Sequence, residues 1–133
     1  MTYPYIAINN NFKIEVKTDF DFNQSNPLQY QYLFGYTINI TNLGTSTAQL
    51  VSRKWNIKDA KGEMKFVEGP GVIGATPTFK PGQSFEYSSF CPLPTLTGEM
   101  WGHFNMIREN GEKFKIDTPI FKFSVPDDLI DIY

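Results

Sequence analysis

Residues 98–116 read GEMWGHFNMIRENGEKFKI and carry the clearest folding signal in the chain. Between Met100 and Met106 the even positions hold one set of side chains and the odd positions another, so the segment has the period of two of a β-strand. Asn110-Gly111 favours the tight turn of a two-residue hairpin. Residues 113–116 alternate again after this turn. The stretch therefore predicts an antiparallel β-hairpin.

The same period of two recurs along most of the chain. Polar and apolar residues alternate in five more segments, at residues 11–18, 32–42, 48–58, 63–67 and 84–88. One further strand contains Phe121 and Phe123, and its shifted parity after Pro119 indicates either a bulge or a strand that changes sheets. Residues 68–82 hold Gly and Pro at positions that suit a loop. The pattern predicts an all-β fold, an antiparallel two-sheet sandwich with hardly any helix.

The alternation also predicts which side chains face the core. We expect Ile38, Ile40, Trp55 and Phe104 to be mostly buried, since each lies on the apolar side of its strand. Val51 shares the odd parity of Trp55, so it is expected on the same face of the strand.

Length and charge set the size of the protein and exclude some partners. The 133 residues predict one domain, with a core at 12–126 and an acidic tail at 127–133. Twelve basic and fourteen acidic residues give a net charge of -2, without a dense Lys/Arg stripe, so nucleic acid is not expected as a partner. Neither a signal peptide nor a long apolar run is found, so we expect no membrane segment and a cytoplasmic protein.

Cys91 is the single cysteine of the chain. It excludes an internal disulfide bond and a cysteine-rich zinc cluster, and it fits a reducing compartment. Because no motif surrounds it, we interpret Cys91 as a structural thiol.

A glycine-rich loop at residues 69–74, GPGVIG, has the spacing G-x-G-x-x-G of dinucleotide-binding loops. That chemistry needs a following helix whose N-terminus meets the pyrophosphate, whereas residues 75–77 lead into a turn. We interpret the glycines mainly as residues that supply positive φ angles. The alternative is an anion or pyrophosphate site built from backbone amides, which Pro70 weakens because it has no amide hydrogen. The candidate residues for that site are Gly69, Gly71, Val72, Ile73 and Gly74.

One pattern imitates a metal site. Asp19, Asp21 and Asn23 begin like a calcium loop, but Gln24 and Tyr30 stand where the template needs Gly and Glu. The template therefore fails, and a weak Mg²⁺ or Co²⁺ site made from loop carboxylates is left as an alternative. We assign no metal ligand and no cofactor.

His103 is the only histidine, which excludes a His-rich metal centre. No Ser, Cys or carboxylate pair stands at a recognisable spacing from it, so we assign no catalytic residue. We interpret His103 as a packed or hydrogen-bonded strand residue, and Trp55 as part of the core. The alternative is that Arg53, Trp55 and His103 line a groove for a partner.

Several motifs occur in a fixed order between residues 12 and 126. They are Arg53-Lys54-Trp55, the glycine loop, Lys80-Pro81-Gly82, Phe85-x-Tyr87-x-Ser89, Gly98-x-Met100-x-Gly102-His103-Phe104-x-Met106 and Pro119-Ile120-Phe121. Together they resemble the ApaG domain family, except that Pro70 stands where that family often has an acidic residue. The resemblance implies a fibronectin type III-like or immunoglobulin-like β-sandwich. It also implies a loose link to cobalt and magnesium efflux, with no settled catalytic activity.

Two classes of function stay open. The leading hypothesis is a non-catalytic module that binds a small molecule or a protein, loosely associated with Co²⁺ and Mg²⁺ homeostasis. The alternative is an enzyme that binds or hydrolyses nucleotides or polyphosphates with residues 69–74, which would need an acid/base or metal cluster near that loop. A carbohydrate-binding sandwich, suggested only by the aromatic content of 16%, is a third reading.

Self-association is also expected. A sandwich leaves open strand edges that a second copy can pair, and the small net charge opposes this little. The sequence therefore predicts a homodimer.

Overall fold

The computed structural model describes residues 3–130, which form ten β-strands, one 3₁₀ turn and one helical turn. The strands are β1 (Tyr5–Asn9), β2 (Phe12–Phe20), β3 (Tyr32–Asn42), β4 (Ala48–Asp59), β5 (Met64–Pro70), β6 (Thr78–Phe79), β7 (Ser84–Leu93), β8 (Thr97–Arg108), β9 (Lys113–Asp117) and β10 (Phe121–Ser124). The 3₁₀ turn spans Pro27–Gln29, and the helical turn, α1, spans Asp127–Ile130. The prediction of a nearly helix-free β protein is confirmed.

The strands form two antiparallel sheets. The first sheet has the order β1-β2-β3-β7, and the second has the order β10-β8-β4-β5, with β6 paired to β4 and β9 paired to β8. The long hairpin of β8 and β9 forms where the sequence predicts it, and Gly111 has the positive φ of 87° that its turn requires. The prediction of an antiparallel two-sheet sandwich is therefore confirmed.

The core lies between the sheets and follows from the alternation. In β3 every second side chain from Tyr32 to Ile40 is buried, and β2 repeats the pattern at Phe12, Ile14 and Val16. The four residues expected to be mostly buried, Ile38, Ile40, Trp55 and Phe104, are at most 2% exposed. Burying one such side chain contributes about 1.5–3 kcal/mol, so these facing rows hold the sheets together.

Strand β4 corrects one prediction. Val51 does not face the core with Trp55, because it is 43% exposed. The pairing with β8 shifts register between Leu50 and Ser52, which is a β-bulge at Val51. An extra residue reverses the parity of the strand, so even positions are buried before the bulge and odd positions turn inward after it.

Three further elements differ from the predictions. Strand β1 was missed, because its side chains are only half-buried at a sheet edge and give little contrast. Residues 68–82 are not all loop, since β5 continues to Pro70 and β6 pairs with β4. The parity shift at Pro119 is not a change of sheet. Strands β9 and β10 pair with successive parts of β8, and Thr118 bridges the gap through hydrogen bonds with the backbone of Gly102.

The structure describes residues 127–130 of the predicted acidic tail. In α1, Leu129 packs against the core, whereas the rest of the acidic tail, 131–133, lies outside the described residues. Within residues 3–130, no helix has the length and apolar character needed to cross a membrane.

Candidate functional site

A cavity of about 280 Å³ lies between the two sheets, where β7 ends the first sheet and β5 ends the second. We call it the inter-sheet cavity. In β4 and β5 the walls come from alternate residues, because successive side chains of a strand point to opposite faces. The lining residues are Tyr36, Arg53, Trp55, Ile57, Lys65, Val67, Val72, Ile73, Tyr87, Ser89, Phe90, Cys91, Pro92 and Met100.

The bulge at Val51 brings Arg53 into this cavity. After the bulge the odd positions of β4 turn inward, so Arg53 and Trp55 line the cavity while Lys54 lies on the outer face. Without the extra residue, Lys54 would take the inward parity in place of Arg53. A local irregularity of one strand therefore decides that the cation of β4 at the cavity is an arginine and not a lysine.

Arg53 is held in place by the glycine loop. Its Nη1 donates hydrogen bonds of 3.0 Å to the carbonyl oxygens of both Pro70 and Gly71. Across the β4–β5 pair stands Gly69, where a Cβ atom would lie 2.9 Å from the same nitrogen. Glycine at this position leaves the space that the guanidinium group occupies. The loop thus positions the cation of the cavity.

The loop itself folds back on its own backbone. The amide of Gly71 donates to Val51, and the amide of Val72 donates to Ala75, which returns a bond to Val72. Gly71 and Gly74 have φ angles of 58° and 79°, as expected for glycines that shape a turn. Ile73 also has a positive φ, 43°, although it is a β-branched residue, and it is 63% exposed at the cavity. Such a conformation is disfavoured for isoleucine and marks a residue held by its surroundings.

Tyr87 is a lining residue of the cavity whose buried hydroxyl is left without a partner by the described part of the protein. The residue is 5% exposed, and its hydroxyl has no hydrogen-bond partner within the described part of the chain. Burial raises the pKa of this hydroxyl well above its ordinary value, the neighbouring Tyr36 raises it further, and Arg53 acts in the opposite direction. Tyr87 is therefore neutral near pH 7 and is a free hydrogen-bond donor.

Two other groups at the cavity, the Tyr36 hydroxyl and the Cys91 thiol, also keep their protons near pH 7. Burial raises the pKa of the Tyr36 hydroxyl, with Ser89 acting in the opposite direction. Burial raises the pKa of the Cys91 thiol to about 11, against the effect of Lys65. A thiol with this pKa is protonated near pH 7 and is a poor nucleophile. Of the described residues that line the cavity, none is acidic and none is a histidine.

These shifts predict a loss of stability in alkali. The free energy of unfolding should be at its full value below about pH 9 and fall as the pH rises further, because the unfolded chain loses protons that the folded chain keeps. The ordinary pKa is 9.0 for Cys91 and 10.0 for Tyr36 and Tyr87, and each rises on folding. Each retained proton contributes about 1.4 kcal/mol per pH unit.

Urea unfolding at a series of pH values between about 8 and 11 tests this. Tyr87→Phe removes one of the three groups, so its stability above pH 10 should fall less steeply, by about 1.4 kcal/mol per pH unit. Equal slopes for the two proteins would contradict the assignment.

The structure separates the residues proposed for a partner groove. Arg53 and Trp55 line the inter-sheet cavity, but His103 lies on the opposite face of the second sheet, beside Lys54 and Asp117. Partial burial and the charge of Lys115 lower the pKa of His103, against the effect of Asp117. Val72 and Ile73 of the glycine loop do reach the cavity. Two of the five anion candidates and two of the three groove candidates therefore meet at one cavity.

Other residues of the cavity carried no signal in the sequence. Tyr87, Ser89 and Lys65 occupy ordinary alternating positions of two strands. In the part of the chain that the structure describes, no group of three or more His, Cys, Asp or Glu residues is placed to hold a metal ion. Asp21, from the calcium-like pattern, instead binds both the backbone and the side-chain amide of Gln24.

Comparison with protein families finds a match to the ApaG domain model at residues 22–108. A protein from Brucella anthropi named Protein ApaG is 42% identical over 92% of this chain and 95% of its own length. A Protein ApaG from Shewanella piezotolerans is 47% identical over 86% of this chain and 90% of its own.

Solved structures agree with these sequence relatives. The crystal structure of the putative ApaA protein from Bordetella pertussis is 38% identical, covers 96% of this chain and 99% of its own, and has a TM-score of 0.85. The crystal structure of the C-terminal domain of wzt superimposes over 93% of this chain and 78% of its own, with a TM-score of 0.54. At 13% identity this last likeness concerns the fold alone.

Proposed function

This chain belongs to the ApaG domain family, and we propose that it is a non-catalytic binding module whose ligand site is the inter-sheet cavity. One observation carries the proposal: Tyr87 lines this cavity, and its buried hydroxyl has no hydrogen-bond partner among the described residues. Leaving such a group unsatisfied costs about 1–3 kcal/mol. A ligand that accepts the hydrogen bond recovers this cost, so the cavity favours being occupied.

The chemistry of the walls supports binding without turnover. A general acid or base needs a pKa near the working pH and reach to the reacting atom. The cavity offers two neutral tyrosine hydroxyls, a protonated thiol and two cations, with no carboxylate or histidine among its described lining residues. These groups hold and orient a ligand, and none of them is poised to exchange a proton at neutral pH.

The alternative function is the enzyme that uses the glycine loop on nucleotides or polyphosphates. A cradle for phosphate needs several free amides that converge on one point. Pro70 has no amide hydrogen, while Gly71 and Val72 already donate within the protein. Residues after the loop lead to β6 and not to a helix, so no helix dipole adds its field. These features favour the binding module.

The binding partner of the module is a small molecule or a segment of another protein. Ile73 is 63% exposed while it lines the cavity, so it offers apolar contact to either kind of partner. A role in Co²⁺ and Mg²⁺ homeostasis and a cytoplasmic location are parts of the same proposal. The homodimer is a further part, and it rests on the open edges of β1 and β7.

The proposal is tested by recovering the full chain from the cells that produce it and identifying bound small molecules by native mass spectrometry. Amide NMR spectra are then recorded with each recovered compound. We expect saturable shifts at Val67, Val72 and Ser89 and none at His103 on the outer face. Shifts that cluster away from the cavity would contradict the proposed site.

A second titration, with pyrophosphate, separates the two classes of function. Saturable shifts at Ile73 and Gly74 below about millimolar concentration, which corresponds to about 4 kcal/mol of binding, would favour the enzyme hypothesis if pyrophosphate were also hydrolysed. We expect neither the shifts nor the hydrolysis.

A further inference from the structure

We propose that the inter-sheet cavity selects a small organic anion, with a carboxylate or phosphate group held between Arg53, Lys65 and Tyr87 and an apolar body against Trp55 and Val67. This inference rests on the proposed function, because it names the class of ligand that the same cavity takes. Three observations lead to it: the balance of charge in the lining, the free donors, and the size of the cavity.

The balance of charge is one-sided. Arg53 and Lys65 are both among the lining residues, and no acidic residue accompanies them in the described lining. Glu68 forms an ion pair with Lys54 on the outer face at 3.7 Å, whereas Asp59 and Glu63 line a neighbouring cavity that also includes Lys65. Two unneutralised cations with low-dielectric walls attract a negative ligand and repel a positive one.

The donors around Arg53 are arranged in advance. The two loop carbonyls use only Nη1, and Nη2 and Nε have no hydrogen-bond partner within the described residues. A guanidinium group presents its donors as a rigid planar fork, which matches the paired oxygens of a carboxylate or a phosphate. Because the loop already fixes the orientation of Arg53, the ligand does not have to immobilise it.

The hydroxyl of Tyr87 adds a third hydrogen-bond donor, which suits a negatively charged ligand. A neutral phenol donates to an anionic oxygen, and such charge-assisted bonds are about twice as strong as neutral ones. Tyr36, Tyr87 and Arg53 are all lining residues of the same cavity.

The size of the cavity limits the ligand. Its volume of about 280 Å³ lies just below the range of about 300–1,000 Å³ that small-molecule sites span. Trp55 and Val67 give the remaining wall an apolar surface. A single ring or a short chain that carries one anionic group suits this space, whereas a dinucleotide is too large to enter it whole.

The test uses five probes on the full chain at low salt: benzoate, phenyl phosphate, inorganic phosphate, methanesulfonate and the neutral benzamide. Affinities are measured by NMR titration of the amides of Val67, Val72 and Ser89. We expect benzoate or phenyl phosphate to bind at the cavity at least about tenfold more tightly than benzamide, since benzamide keeps the ring and loses the charge. The ratio of the affinities for benzoate and phenyl phosphate shows whether the site prefers a carboxylate or a phosphate group.

Four variants assign the contacts. Arg53→Gln and Lys65→Gln should each weaken the tighter anion about fivefold or more, and Tyr87→Phe should weaken it while raising Tm by a few degrees, because it removes an unsatisfied buried hydroxyl. Lys54→Gln is the matched control, since it removes the same charge from the next position of β4 on the outer face. The affinity of the Lys54→Gln variant for this anion should stay within about twofold of that of the unmodified protein.

The outcomes separate this inference from the proposed function. If benzamide binds at the cavity as tightly as the anions, the anion selectivity is wrong and the binding site stands. If inorganic phosphate or methanesulfonate binds as tightly as the larger anions, the apolar body is not recognised and that part of the inference is overturned. Tyr87→Phe that raises Tm without weakening either anion would remove Tyr87 from the site. Shifts only outside the cavity would overturn both proposals.

Discussion

Gly102→Ala is expected to lower the free energy of unfolding by about 3 kcal/mol or more. Gly102 lies in the middle of β8, opposite Trp55 of β4, and a Cβ atom there would overlap the carbonyl oxygen of Lys54. The overlap is with backbone, which no change of side-chain rotamer relieves. The two central strands of the second sheet would therefore have to separate locally and lose ladder hydrogen bonds.

Gly35→Ala is the matched control for this prediction. Gly35 also lies inside a central strand, β3, but a Cβ atom there would meet nothing closer than the ring of Phe90 at 3.8 Å. That is ordinary contact, so we expect a change within about 0.5 kcal/mol. Urea unfolding of both variants measures the difference. Equal effects of the two substitutions would show that loss of glycine itself, and not the overlap with Lys54, determines stability.

Gly71→Ala is expected to cost about 3 kcal/mol, for two reasons that add. A left-handed backbone costs an alanine about 1–2 kcal/mol, and the φ of Gly71 is 58°. A Cβ atom on Gly71 would also overlap the backbone carbonyl of Ala75, which accepts the hydrogen bond that closes the turn. The loop must therefore open, and Arg53 loses one of its two anchoring carbonyls.

Gly74→Ala isolates the first of these reasons. Gly74 has a φ of 79°, yet a Cβ atom there would have no neighbour within 4 Å. We expect a cost of about 1 kcal/mol, from the backbone conformation alone. Thermal and urea unfolding of both variants give the comparison. A cost for Gly74→Ala as large as that for Gly71→Ala would mean that the closed turn adds nothing to the stability of the loop.

Local patterns predicted most of the sheets correctly. The alternation in residues 32–42 and the Asn110-Gly111 turn each depend on neighbours in the chain, and both elements appear where the sequence places them. The half-buried edge strand β1 was missed because its side chains alternate between intermediate and exposed and not between buried and exposed. The prediction for Val51 was wrong because the parity of β4 changes at a bulge next to Leu50, and Val51 was given the parity of the residues after the bulge.

The candidate site was predictable only in fragments. The glycine loop and the pair Arg53 and Trp55 stood out as motifs, but nothing in the sequence indicated that they meet at the same cavity. His103 seemed to belong with them, and it lies on the opposite face because β8 has no bulge at that point. Tyr87 looked like one more alternating aromatic residue. Its missing hydrogen-bond partner depends on the residues that four other strands place around the same cavity.

Strand positions, the sandwich class and the family were thus readable from the order of amino acids, since each rests on periodicity or on motifs within short segments. The cavity, its positive charge and the unsatisfied hydroxyl of Tyr87 could be recognised only in the tertiary structure. They arise where the edge strands of two sheets approach each other, between residues as distant along the chain as Tyr36 and Met100. Contacts of that range are set by how the sheets pair and pack, and one inserted residue at Val51 is enough to exchange Lys54 for Arg53 at the wall.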